Sequence, residues 1–131
     1  MKNLRSTGAG GADRVIVVAG AARTSGTAYV DQNTAGFATT DAASGARYAL
    51  KITGEFEVAF IASSVKGDVI CINDSTSALT RIAYGGTVAA GTRAFAIVTA
   101  VPGDGITADA TKEPKTGFMW INLLPQQIKT N

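Results

Sequence analysis

Arg47-Tyr48-Ala49-Leu50-Lys51-Ile52-Thr53-Gly54-Glu55-Phe56-Glu57-Val58-Ala59-Phe60-Ile61 decides the fold class. Tyr48, Leu50, Ile52, Phe56, Val58 and Phe60 all hold even positions, whereas Arg47, Lys51, Thr53, Glu55 and Glu57 hold odd ones. Side chains alternate across a strand, so this period of two means one buried and one wet face. A helix would scatter the same apolar residues around its circumference. The stretch therefore reads as a strand pair or one long bent strand. Gly54 falls in phase at an inward position, where a missing side chain permits a sharp bend or a bulge.

Outward from this stretch the chain keeps the same character. Arg14–Ala19, Thr27–Val30 and Gly36–Thr40 are short strand candidates before it, separated by a turn over Gly20–Gly26. Asp41–Gly45 is a further turn. After it, Val69–Ile72, Leu79–Ala83, Ala94–Val101 and Phe118–Leu124 are candidates, the last stopped by Pro125. Seven to nine short strands at turn-punctuated spacing predict an all-β fold, a small β-barrel or sandwich. Composition agrees. Val and Ile together number 20 against 5 Leu, beside 16 Thr, and β-branched side chains suit a pleated surface better than a helix.

The strand-bearing region 14–125 is expected to form the β domain. Residues 1–13 hold the small-residue run Gly8-Ala9-Gly10-Gly11-Ala12 and are expected to be a flexible arm. Residues 126–131 are a short tail. The runs 69–72 and 94–101 are apolar on both faces, and the second face of such a strand needs a cover. Ile70, Ile72, Ala96, Val98 and Trp120 are accordingly expected at a subunit interface, with Trp120 there or in the core.

The chain lacks histidine, the commonest general acid/base and metal ligand, and carries one cysteine. Cys71, between two Ile residues, reads as a buried inert thiol. Asp104, Asp109 and Glu113 form the densest acidic group, but their spacing matches no calcium loop and reads as a solvated connection. Glu55 and Glu57 could be paired carboxylates, yet alternation alone explains them as a wet face. A net charge of +2 is too weak to argue for nucleic acid. No apolar run reaches the length of a membrane span. No catalytic, cofactor-binding or metal-ligating residue is therefore assigned, and the chain is read as a non-enzyme without cofactors.

Several stretches resemble a known family. The opening Met1-Lys2-Asn3 with a Gly further on at Gly8, Ser25-Gly26 before a short strand, and Gly36-Phe37-Ala38 are similar to it. So are the turn Asp41–Gly45 with the strand Ala49–Val58, and Lys66-Gly67-Asp68-Val69-Ile70. In these features the chain resembles the small phage capsid decoration, or cement, proteins, over Met1 to Leu124. Ile70-Cys71 stands where the family often has Tyr-Trp, and the Lys it tends to carry just after the Phe-Glu strand is absent at Ala59–Ala62. The resemblance implies a structural virion protein, made in the host cytoplasm, that sits as a homotrimer on the outer capsid surface. Its partner would be the major capsid protein, with neighbouring capsomers braced and no nucleic acid or membrane involved. The arm residues Lys2, Asn3, Leu4 and Arg5 are the expected capsid contact. The rival expectations are a carbohydrate- or ligand-binding β-module, with Trp120, Tyr29 or Tyr84 as platform, and a head fibre or adaptor of the same fold.

Overall fold

The computed structural model describes residues 13–83, 85–103 and 113–125. Among the described residues, nine strands account for the regular structure: β1 (Arg14–Val18), β2 (Ala28–Asp31), β3 (Thr34–Ala38), β4 (Arg47–Lys51), β5 (Glu55–Ala59), β6 (Val69–Asn73), β7 (Leu79–Ile82), β8 (Thr92–Ala100) and β9 (Phe118–Leu123). The all-β expectation holds, with no helix among the described residues. The arm residues Lys2, Asn3, Leu4 and Arg5, the tail 126–131, Tyr84, and Asp104 and Asp109 lie outside the described residues.

The chain divides into two compact units, Met1–Thr53 and Gly54–Asn131. The first holds a four-stranded sheet in the order β1-β4-β3-β2, the second a five-stranded sheet in the order β5-β9-β8-β6-β7. Every ladder is antiparallel. Each sheet is open, with β1 and β2 as the edges of one and β5 and β7 as the edges of the other.

The stretch 47–61 is therefore neither a hairpin nor one bent strand in one sheet. β4 pairs with β1 and β3, whereas β5 pairs with β9. Gly54 stands between them with φ 112°, a left-handed value that favours glycine. Alternation reports which side of a strand is buried and carries no information about which strand lies alongside.

In the first unit Val17, Ala19, Ala38, Tyr48 and Leu50 form the buried cluster, with Val15, Tyr29 and Ala42 packed against it. The β2–β3 hairpin turns on Gln32 and Asn33, both at positive φ (49° and 64°). That pairing matches a type I′ turn, whose twist suits flanking strands. In the second unit the registers place Phe56, Val58, Ile70, Val98, Met119 and Ile121 on one face. Of these, Ile70, Val98, Met119 and Ile121 are fully buried. Each such side chain stabilises the fold by about 1.5–3 kcal/mol relative to exposure. β8 is irregular twice, with register shifts opposite Ile70/Cys71 and at Val98/Ala100.

Candidate functional site

Four of the five residues expected at a subunit interface are buried within the single chain. Ile70, Ile72, Ala96 and Val98 are at most 1% exposed in the single chain. Their side chains offer no area to a second subunit, which corrects the expectation built on them. The reason is one of accounting: apolar residues on both faces of a strand require covers, and here the chain itself supplies them. Cys71, on the opposite face of the same strand, is also buried, and burial raises its thiol pKa. An inert thiol was the expected reading.

Trp120 is not a core residue either. It lies on the face opposite buried Met119 and Ile121 and is partly exposed. Its cross-strand partner is Glu57, whose Oε2 accepts the indole Nε1–H at 3.1 Å. The ladder bonds Leu123 N to Gly54 O and Phe60 N to Gly117 O. Glu55–Asn122, Glu57–Trp120 and Ala59–Phe118 are then the non-hydrogen-bonded pairs, whose side chains stand closest. Glu55 is held in turn by Thr99, whose hydroxyl donates to its Oε2 at 2.6 Å. Phe118 is 41% exposed beside small Ala59. One wet face thus carries two aromatic rings, two carboxylates and an amide.

A second polar centre lies in the first unit. Asp31 is 6% exposed. Its Oδ1 accepts from Gly20 N (3.0 Å) and Arg23 Nη2 (2.7 Å), and its Oδ2 from Arg23 Nε (2.9 Å) and the Tyr48 hydroxyl. Burial alone would raise the Asp31 pKa, but Arg23, Tyr48 and the Gly20 amide together hold it below the usual carboxylate value. Burial and the adjacent Asp31 charge push the Tyr48 pKa up. The Arg23 guanidinium also lies 4.5 Å over the Tyr29 ring, and Tyr29 Oη accepts from Thr24 N. A carboxylate offers about four lone-pair sites, and all are used. This acid is kept ionised and saturated, so it acts as a structural tie rather than a proton-transfer group. Two further pairs, Arg81–Asp68 (2.6 Å) and Arg93–Asp74 (2.7 Å), follow the same pattern in the second unit.

The sequence reading missed the Asp31 centre. Its signal was Tyr48 at an inward position, since a buried phenol nearly always finds a partner for its hydroxyl. Among the described residues, no group of three or more His, Cys, Asp or Glu is gathered to hold a metal ion.

The third feature is an edge. β1 has a single neighbour, β4. Asp13 O, Ala19 N and Ala19 O bond toward the β4 side, so alternation turns the backbone groups of Arg14, Ile16 and Val18 outward. Val18 N is taken by the Gln32 side chain at 2.8 Å. Ile16 is 65% exposed and Val18 38%. The other edge of the same sheet ends on Asp31, and those of the second sheet carry Glu55 and Glu57 or Arg81.

No family model, curated protein or solved structure matches this chain.

Proposed function

We propose that this protein is a phage head decoration, or cement, protein. In this reading it binds the outer surface of the mature capsid through the major capsid protein, as a homotrimer, and braces neighbouring capsomers. The resemblance over 41–58 and 66–70 suggests the role, and the structural observation that supports it is the β1 edge around exposed Ile16, ahead of Val18, whose N–H is already taken by Gln32. An exposed, apolar strand edge is an invitation to association, and proteins with no use for one blunt it with charge or proline. Arg14-Val15-Ile16-Val17-Val18 has charge only at its first residue. It also directly follows the segment that contains Lys2, Asn3, Leu4 and Arg5, so arm and edge would engage one neighbour together.

Mixing the purified protein with bare expanded heads of its phage, then counting bound copies and recording the head disruption temperature, tests the role. Saturating binding with a raised disruption temperature is expected, because a ligand of the assembled state favours that state. Ile16→Lys, at an exposed position, should leave the thermal transition of the free protein within a few degrees and weaken head binding. A monomer that neither binds nor protects heads overturns the reading.

A further inference from the structure

Independently of head binding, we propose that the wet face of β5 and β9 is a binding site for a neutral oligosaccharide, with Trp120 and Phe118 as stacking surfaces. Trp120 and Phe118 are two residues apart on one strand and share a face, about 7 Å apart along it. Aromatic rings present a negative π face that suits the C–H face of a pyranose. Two platforms in line suit an oligomer better than a single sugar.

The polar groups are arranged for hydroxyls. The bond from Trp120 Nε1 to Glu57 orients the indole and leaves Glu57 Oε1 free to accept. The Thr99 hydroxyl orients Glu55 in the same way through Oε2. Asn122, exposed and opposite Glu55, adds an amide that both donates and accepts. Pre-oriented polar groups beside an apolar surface are the composition of small-ligand sites, and fixing them in advance lowers the entropy lost on binding. Charge narrows the ligand class. Two carboxylates side by side repel a phosphodiester strand or an acidic sugar, so the stacked partner is an uncharged saccharide rather than a nucleic acid.

Trp120 is the only tryptophan in the chain, so its fluorescence reports the site directly. The full chain is titrated with cellotetraose, maltotetraose and chitotetraose, each beside its monosaccharide, and with a tetragalacturonate as the anionic probe. At least one neutral tetrasaccharide should give a saturable change with half-saturation near or below about 1 mM, tighter than its monosaccharide. Tetragalacturonate should give none. Glu57→Gln keeps an acceptor for the indole but loses the charge, and should weaken binding about tenfold. Phe118→Ala should remove the advantage of the tetramer over the monomer. Both substitutions are at exposed positions, and an unchanged thermal transition checks their folding. The absence of a saturable response to all three neutral probes overturns the proposal. So does a response indifferent to both substitutions, or preference for tetragalacturonate.

Discussion

Replacing Asp31 with Asn would leave the Arg23 guanidinium, whose side chain is 15% exposed, without its counter-charge. Breaking a largely buried pair by removing one partner is strongly destabilising, and Asp31→Asn should cost about 2–4 kcal/mol. Tyr48→Phe removes one hydrogen bond to a charged acceptor and keeps the ring, so about 1–2 kcal/mol is expected. Urea denaturation midpoints at constant slope measure both. The same residue sets an acid limit. The folded Asp31 pKa lies below its ordinary value, which in an unfolded chain is about 3.9. Its contribution is therefore complete above that value and is lost as the pH falls through the folded pKa. Between pH 5 and pH 2 the wild type should lose more stability than Asp31→Asn, which has no proton to take up there. Equal losses in the two proteins would place the acid sensitivity elsewhere.

At the level of elements, the strands were legible and their partners were not. Arg14–Ala19, 69–72 and 118–124 were readable because β-branched and aromatic runs bounded by Gly, Asp or Pro have few other uses. The wet placement of Glu55 and Glu57 followed from alternation alone. Trp120 escaped because its neighbour Ile121 and in-phase Phe118 made both faces of β9 apolar, which leaves no parity to read. Pairing depends on contacts far apart in sequence, and one close approach marks such a contact here. A Cβ on Gly36 would lie 2.6 Å from Lys51 O and 3.1 Å from Leu50 Cβ. The first of these is backbone, which cannot swing aside, so β3 and β4 meet only because residue 36 has no side chain. Gly36→Ala should destabilise by about 1–3 kcal/mol through overpacking. Hydrogen exchange should quicken at the amides of β3 and β4, including Thr39 N, which bonds Ala49 O. Unchanged exchange would mean that the added Cβ is accommodated with the β3–β4 pairing intact, and that residue 36 need not be glycine.

At the level of the whole molecule, the division between Thr53 and Gly54 carries no linker composition, and the alternation runs through it in phase. That continuity is why the boundary could not be read from the chain. The two units differ in what they bury. Of the largest fully buried side chains among the described residues, Leu50 alone belongs to the first unit; Phe95, Ile70, Ile72, Met119, Ile121, Val98 and Cys71 belong to the second. The first unit instead relies on a small cluster that includes two alanines, together with the Asp31 tie. Apolar burial scales with side-chain area, so the deeper core resists opening more strongly. Native-state hydrogen exchange should therefore find its slowest amides in β6, β8 and β9, with β1 to β4 opening at lower free energy. Asp31→Asn should widen that gap by accelerating the first unit alone, because its partners Gly20, Arg23 and Tyr48 all lie there. If β1 to β4 instead exchange as slowly as β6, β8 and β9, and the substitution slows or speeds both sets alike, the two units open as one cooperative body and the distribution of buried side chains does not set their local stability.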